Sequence, residues 1–317
     1  MAQDLFAGMK RIVLQACGFG VGKSKSTHWR ILLLGFLVMV LLGGKGSATA
    51  AEPSSTNGPL PDYQWQVGVA PTYTSGTYGT DSRTNIFYLP FSVKRLFPDG
   101  DITLVVPYVH IEGTGAVRLV GGVGTRTSNS RGNGASSGGT GKGKKVTDTP
   151  QGTASSSSGL GDVILRGRYY LVEETSLMPL IALTARIKLP TADADAGLGT
   201  GEFDEGIGME STKKLSERWR GFVDGGYTFI GDPESVKFRN QWWYDIGAGY
   251  DVNKNWNLSL YYEEYRAVVT TVNNARDLFF SALFKPTSAL RCTTSFMVGL
   301  SNGAPNYGLT AGLSYRF

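Results

Sequence analysis

The last eleven residues, Tyr307–Phe317, read YGLTAGLSYRF and alternate between two kinds of side chain. One kind is apolar or aromatic, and it comprises Tyr307, Leu309, Ala311, Leu313, Tyr315 and Phe317. The residues between them are small or polar. A period of two places each kind on its own face of a β-strand. We therefore predict a strand at 306–317 with one apolar face.

The same alternation recurs along the chain in segments of ten to fourteen residues. Soluble proteins mostly have strands about half as long, whereas roughly 9 to 11 tilted residues cross a bilayer. Alternation alone would also suit a soluble sandwich, but the lengths favour a membrane barrel. The predicted strands are 63–74, 84–96, 101–111, 160–172, 178–190, 203–215, 219–230, 240–252, 256–266, 276–285, 289–300 and 306–317.

The connections between these strands alternate in length. Every second connection is a tight turn, as in FPDG at 97–100 and NKN at 253–255, and most of the others are longer. A meander places alternate connections at opposite rims, with short turns in the periplasm and long loops outside. The predicted fold is all-β: a transmembrane up-and-down antiparallel β-barrel of about 12 strands with short periplasmic turns and longer external loops.

A closed barrel must pair its last strand with its first, because an open edge would leave backbone groups unsatisfied in hydrocarbon. The terminal residues Leu313, Tyr315 and Phe317 resemble the C-terminal signal that outer-membrane barrels present to their assembly machinery. We therefore expect outer-membrane lipid and the barrel assembly machinery as partners.

The N-terminal segment has a different composition from the rest. Residues 1–50 carry six Lys/Arg and one acid, and the remainder carries 25 of each sign. The apolar run ILLLGFLVMVLL at 31–42 would span only about 18 Å of a roughly 30 Å hydrocarbon layer, so a membrane anchor is disfavoured. We predict a signal peptide at 1–50, cleaved near Ala50, and a barrel at 51–317 in the outer membrane of a Gram-negative bacterium. The balanced charge of the barrel predicts no nucleic-acid partner.

The connection at 112–159 is rich in Gly, Ser and Thr and has almost no large apolar residue after Val123. Such a segment cannot bury enough surface to offset the entropy of ordering it. We predict a flexible external loop over 112–159.

The residues on the polar faces of the strands are expected to line the lumen. Their charges are mixed in sign, and in a narrow interior they must pair with each other or contact water. The predicted lumen-lining residues of a pathway for a small-molecule solute are Asp162, Arg166, Arg168, Tyr170, Arg186, Lys188, Glu210, Arg220, Asp224, Trp243, Asp245, Tyr261, Glu263 and Arg291.

Two functions remain open for such a barrel. The first is a channel or transporter for small solutes, in which Tyr170, Trp243 and Tyr261 would offer contacts to aromatic or hydrophobic compounds. The second is a non-transporting structural or surface-display barrel whose large external loop mediates interactions, although that loop lacks the aromatic anchors of most binding surfaces. The lumen charges would then only stiffen the wall.

Catalysis is not expected. Serine nucleophiles normally need a base such as histidine, and after removal of the signal peptide His110 is the only histidine of the chain. We predict no catalytic residues, no metal site and no cofactor.

Two segments resemble a known family. GLGDVILRGRYYL at 159–171 and ARIKLPTADADAGLGTGEFD at 185–204 are similar to signatures of the outer-membrane transporter family of the MetA-pathway of phenol degradation. Its members are distantly similar to FadL-type channels for hydrophobic substrates. The resemblance extends from Gln64 to Phe317, departs from the family pattern at 125–158, and implies a barrel that transports small solutes.

Overall fold

The structure is a computed structural model that describes residues 63–127, 155–233 and 237–317. The predicted signal peptide at 1–50 lies outside the described residues, as does the middle of the predicted loop. Within the described ranges, no helix has the length and hydropathy that a membrane crossing requires.

The described residues form sixteen strands. The bounds are β1 Trp65–Val69, β2 Thr72–Gly76, β3 Thr84–Phe97, β4 Gly100–Gly113, β5 Val117–Val120, β6 Val123–Arg126, β7 Ser155–Leu160, β8 Val163–Val172, β9 Leu180–Leu189, β10 Asp204–Lys214, β11 Trp219–Phe229, β12 Gln241–Asp251, β13 Trp256–Tyr265, β14 Ala275–Phe284, β15 Leu290–Gly299 and β16 Tyr307–Arg316.

The strands form a closed antiparallel barrel with twelve spanning strands, which confirms the predicted fold class. Strands β8 to β16 pair in sequence order, and β16 then pairs with both β1 and β2. Strands β1 and β2 together form the first spanning strand, and β7 and β8 together form the fourth. At the seam, the backbone N–H of Phe317 donates to Trp65 O at 2.9 Å, and the N–H of Trp65 donates to Phe317 O at 2.9 Å.

The predicted strands at 63–74 and 160–172 are each broken in the structure. The two breaks lie at the same level of the wall, with β3 and β4 between them. Ala70–Pro71 separates β1 from β2, and Gly161–Asp162 separates β7 from β8. Between these breaks, Pro90 of β3 lies directly opposite Pro107 of β4. Proline has no N–H to donate, so the backbone ladder has fewer hydrogen bonds at this level of the wall.

The outward face of the barrel is apolar. Large side chains are about half exposed there, including Phe91 at 53%, Val223 at 54%, Ile246 at 53% and Leu309 at 50%. Rings pack on one another near the strand ends, as Trp219 does on Tyr250 with centroids 4.9 Å apart. An apolar belt with aromatic residues at its borders is the surface that outer-membrane barrels present to lipid.

The ends of the segment predicted as a flexible loop at 112–159 are structured. Strands β5 and β6 form a hairpin whose turn is Gly121-Gly122, and both glycines have positive φ, +58° and +87°. Two positive φ values suit a two-residue hairpin turn, and glycine adopts them without strain. At the other end, β7 pairs with β4 and extends its wall. Residues 128–154 lie outside the described part of the chain.

The two faces of one strand allow a test of the barrel. Leu260 points outward near the middle of β13 and is 44% exposed, whereas its neighbour Ser259 points inward. Leu260→Arg should lower the free energy of unfolding by about 2–4 kcal/mol, because the charge would lie in hydrocarbon. Ser259→Arg should lower it by less than about 1 kcal/mol, because it adds the charge to a face that is already polar.

The measurement is urea unfolding of both variants in lipid vesicles, followed by tryptophan fluorescence. Equal destabilisation by the two arginines would contradict the assignment of outward and inward faces.

Candidate functional site

The fourteen predicted lumen residues lie on one face of the wall. The strand register places them opposite the exposed apolar set on β8 to β13 and on β15, whereas β14 holds none of them. Asp162 lies just before β8, and its side chain is buried against the end of β9. Their role in solute passage stays a prediction, but the structure gives them different surroundings.

The external end of the lumen is covered by the hairpin β5–β6, which packs against the long loops. We call this hairpin, Val117–Arg126, the loop cap. On one side of it, Val117 and Leu119 pack with Tyr78 and Leu198. On the other side, Val120 packs with residues of two further loops, which are Ile230, Phe238, Val268, Val269 and Val272. Apolar burial of this extent keeps the hairpin inside the barrel mouth.

Hydrogen bonds tie the loop cap to its neighbours. Arg118 Nη1 donates to Ala194 O at 2.8 Å, and the Arg126 guanidinium donates to Gly79 O. Tyr78 is fully buried with a left-handed φ of 50°, and its hydroxyl pairs with Thr74 Oγ1 at 2.8 Å. Burial raises the pKa of Tyr78 well above its ordinary value, so the hydroxyl stays neutral. A left-handed tyrosine costs about 1–3 kcal/mol, which the packing must offset.

The hairpin turn contacts the basic side of the lumen. A Cβ atom on Gly121 would overlap the guanidinium of Arg186, and one on Gly122 would lie 3.3 Å from the hydroxyl of Tyr88. Arg186 lies directly opposite Arg166 in the register of β8 and β9. Two arginines therefore lie next to each other beneath the turn, on the wall formed by β8 and β9.

A buried ion-pair network lies just above this basic wall. Lys188 Nζ is 2.8 Å from Asp204 Oδ2 and 3.3 Å from Asp162 Oδ2, and it donates to Thr200 Oγ1 at 2.7 Å. The side chains of Lys188, Asp162 and Asp204 are 1%, 7% and 0% exposed. Asp162 also accepts from Ala192 N at 3.0 Å, and Asp204 accepts from Gly231 N at 3.0 Å.

This network is where the two family-like segments meet. Asp162 belongs to the segment at 159–171, and Lys188, Thr200 and Asp204 belong to the segment at 185–204. Lys188 therefore fixes both ends of the loop at 190–203, and Leu198 of that loop packs on the hairpin. Lys188 and Asp162 were predicted from the sequence as lumen-lining, and the structure buries both in this network. The role of Thr200 was missed, because nothing in its local sequence indicates a lysine partner.

The opposite wall of the lumen is acidic. Glu210, Asp224, Asp245, Glu263 and Asp277 lie directly opposite one another on the five consecutive strands β10 to β14. We call these five residues the acidic row. At one end of the row, Arg168 Nε is 2.8 Å from Glu210 Oε2, and Arg168 Nη1 is 3.3 Å from Asp101 Oδ2.

Aromatic rings lie on both sides of the acidic row. On the external side, Trp243 stacks on Tyr265 with centroids 6.2 Å apart. On the periplasmic side, Tyr261 stacks on Phe279 with centroids 4.7 Å apart and planes 3° from parallel. Phe279 was not among the predicted lumen residues, although alternation with Asp277 would have placed it on the inward face.

Two of the remaining predicted residues, Arg220 and Arg291, lie closer to the periplasmic end. Arg220 Nε is 3.1 Å from Asp251 Oδ2 and holds the ends of β11 and β12 together. Arg291 lies near the start of β15, where its Nη1 contacts Ser288 O at 3.5 Å. Tyr170 lies in the same cross-strand level as Glu210, through Ala182. Among the described residues, no group of three His, Cys, Asp or Glu side chains is arranged to hold a metal ion.

Lys188→Met tests the buried network. Removing the lysine leaves Asp162 and Asp204 buried without their cation, which should cost about 3–5 kcal/mol. Lys254→Met, in the exposed turn between β12 and β13, should cost less than about 1 kcal/mol. Thermal unfolding in detergent and protease cleavage within 190–203 are the measurements. A Lys188→Met protein with native melting temperature and an uncut loop would contradict the bracing role.

Comparison with solved structures shows the fold. An outer membrane channel from Pseudomonas putida F1 superposes with a TM-score of 0.59 at 13% identity, covering 84% of this chain and 100% of that chain. The NanC porin has a TM-score of 0.46 at 10% identity, covering 79% of this chain and 100% of that chain. The P. putida toluene transporter TodX has a TM-score of 0.36 at 11% identity, covering 81% and 91%.

The sequence comparisons give the family. A search of curated proteins found no match. A family model matches residues 98–317, which is more than half of the chain and includes both segments that meet at Lys188. The chain therefore belongs to the family described as "Putative MetA-pathway of phenol degradation".

Proposed function

We propose that this protein is an outer-membrane channel for small solutes, with aromatic or hydrophobic compounds as its candidate cargo. The observation that carries the proposal is a closed barrel whose inward face holds charged and aromatic side chains. An inward face with this many charged side chains needs water around it. The aromatic rings next to these charges offer contacts to an aromatic solute. Membership of a family named for phenol degradation supports the same cargo.

The proposal includes the route of the chain to the membrane. A signal peptide at 1–50, cleaved near Ala50, would export it, and Leu313, Tyr315 and Phe317 would present it to the barrel assembly machinery. The apolar outer belt would then contact outer-membrane lipid. These steps agree with a fold that outer membrane proteins of Gram-negative bacteria have.

The loop cap is the gate of the proposed channel. The hairpin is held by apolar packing and by hydrogen bonds rather than by a covalent link, so it can be displaced without breaking the barrel wall. The packing also argues against the surface-display alternative for this part of the loop, because Val117, Leu119 and Val120 are buried and unavailable to a partner.

Replacing Val117–Arg126 with a Gly-Ser linker of equal length tests the channel. The variant should conduct ions several-fold better than the native protein in planar bilayers, because the cap no longer covers the mouth. A Gly-Ser replacement of the turn at 173–178 is the control, and it should leave the conductance native. If neither the native protein nor the hairpin variant conducts, or passes solutes in liposome swelling, the channel proposal fails.

A single substitution tests the same gate with less disturbance. Gly121→Val introduces a side chain at φ +58° that overlaps Arg186, whereas Gly197→Val introduces one at φ +78° with no atom within 4 Å. Both strain the backbone, but only Gly121→Val forces a shift at the mouth, either of the hairpin or of the Arg186 guanidinium beneath it, so only Gly121→Val should change the single-channel conductance. Equal conductance of the two variants would mean that the turn does not close the lumen.

Cargo is tested by uptake. A strain that lacks the protein is compared with the complemented strain for radiolabelled phenol, toluene and short-chain carboxylates at limiting concentration. Faster uptake of the aromatic compounds in the complemented strain is expected. Equal rates for every compound would overturn the assignment of aromatic cargo.

A further inference from the structure

The acidic row places like charges next to each other, and this arrangement needs compensation. Carboxylates directly opposite one another on neighbouring strands destabilise a sheet. Arg168 supplies the positive charge next to the first two members of the row. Glu210 pairs with Arg168 at 2.8 Å, and Asp224 Oδ1 accepts a hydrogen bond from Ser211 N at 3.0 Å.

The other three members, Asp245, Glu263 and Asp277, have no basic partner among the residues that the structure describes. The Tyr265 hydroxyl donates to Glu263, but this contact brings no positive charge. Asp277 is 5% exposed, and its Oδ1 has no hydrogen-bond partner, nor has Oδ1 of Asp245. An uncompensated buried carboxylate costs several kcal/mol, so a bound cation would be stabilised most strongly at Asp277, with Asp245 and Glu263 half-buried beside it.

The aromatic rings around these carboxylates indicate which kind of cation fits. Tyr261 is close enough to interact electrostatically with Asp245, Glu263 and Asp277. Its ring stacks on Phe279 and meets the edge of Phe222 with centroids 6.0 Å apart. Ring faces attract ammonium groups within about 6 Å, and most strongly when water is excluded. Carboxylates next to aromatic faces are therefore suited to an organic ammonium ion.

A small metal ion suits the geometry less well. Calcium or magnesium needs oxygens that converge within about 2.0–2.6 Å of one point. Each carboxylate stands about 5 Å from the one directly opposite it on the adjacent strand, and β13 separates Asp245 from Asp277. The described residues contain no group arranged to hold a metal. An ammonium group with carbon substituents spreads its charge over a larger volume and can contact several carboxylates together.

The basic wall favours the same position for the ion. Arg166 and Arg186 lie together on β8 and β9, beneath the hairpin turn. Both arginines also interact electrostatically with Tyr265 at the external end of β13, so they would repel a cation from the external side of the carboxylates, toward Tyr261 and Phe279 on the periplasmic side. The lumen thus has one wall that repels ammonium groups and one that attracts them.

We propose that Asp245, Glu263 and Asp277, together with Tyr261 and Phe279, form a binding site for an organic ammonium ion inside the lumen. An aromatic amine is the solute class that matches both the charges and the rings. The site rests on the proposed function as a channel, because the ion must enter the lumen to reach it, and it narrows the cargo to a stated chemistry.

The test uses the full chain in lipid nanodiscs and benzyltrimethylammonium as the probe, at one fixed ionic strength. Equilibrium dialysis should show saturable binding of the probe and none of benzoate. The variant Asp245→Asn/Glu263→Gln/Asp277→Asn should bind it at least about tenfold more weakly, because three attractive charges are gone. The matched control, Asp81→Asn/Glu173→Gln/Glu217→Gln, removes three exposed carboxylates from loops and turns and should bind normally.

A second pair of variants tests the rings. Phe279→Leu removes the inward ring that stacks on Tyr261, and Phe280→Leu removes the next ring along β14, which points outward and is 49% exposed. Loss of one cation–π contact of about 1 kcal/mol should weaken binding about fivefold in Phe279→Leu. Phe280→Leu should bind as the native protein does.

Because amide variants of lumen residues can misfold, each protein is first checked for the heat-dependent shift in gel mobility that folded barrels show. If the lumen triple variant does not fold, Asp245→Asn alone is compared with Glu217→Gln, and several-fold weaker binding is expected only in Asp245→Asn. Equal affinity in the lumen variants and their controls, or no saturable binding to the native protein, would overturn the ammonium site.

Conductance of the same proteins in planar bilayers distinguishes failure of the ammonium site from failure of the channel proposal. A protein that conducts ions but binds the probe and benzyl alcohol equally is a channel without an ammonium site. A protein that binds the probe selectively but conducts nothing, even with the hairpin replaced, has the site but is not a channel.

Discussion

The structure depends on the need of every backbone N–H and C=O group inside a bilayer to find a partner within the protein. The last strand meets this need by closing on the first, through β1, β2 and the reciprocal hydrogen bonds between Trp65 and Phe317. Once the wall is closed, every side chain must point to lipid or to the lumen. The division of the chain into an apolar outer set and a polar inner set follows from this closure.

Closure also explains how the wall tolerates its prolines. Pro90 and Pro107 face each other in two paired strands, and the breaks at Ala70–Pro71 and Gly161–Asp162 flank them. In a soluble sheet such residues mostly lie at edges. Here Gly161 N donates to Pro107 O at 2.9 Å and Ala311 N donates to Pro71 O at 3.0 Å. The carbonyl groups of the prolines therefore still join the wall, although their missing N–H groups cannot.

The inner side chains serve two different purposes in this arrangement. Where opposite charges meet, as at Lys188 with Asp162 and Asp204, they hold loops and strand ends together and brace the loop cap. Where like charges meet, as at Asp245, Glu263 and Asp277, the described protein supplies no counter-charge. The first arrangement contributes to the stability of the mouth, and the second is the part of the lumen that a solute of opposite charge would complete.

The sequence by itself determined the barrel, because alternation with a period of two and the contrast between short and long connections are local properties. Tyr307–Phe317 indicated both faces of its strand, and the inward faces of β8 to β15 followed from the same rule. The Gly-Gly pair at 121–122, between Val120 and Val123, was a local hairpin signal that composition concealed. Only the tertiary structure decided which inner charges are neighbours. Lys188 and Thr200 meet because a loop folds back on its own strand, and the acidic row forms because five strands align in one register. Contacts of this kind depend on register and on loop packing, which no single segment of the sequence encodes.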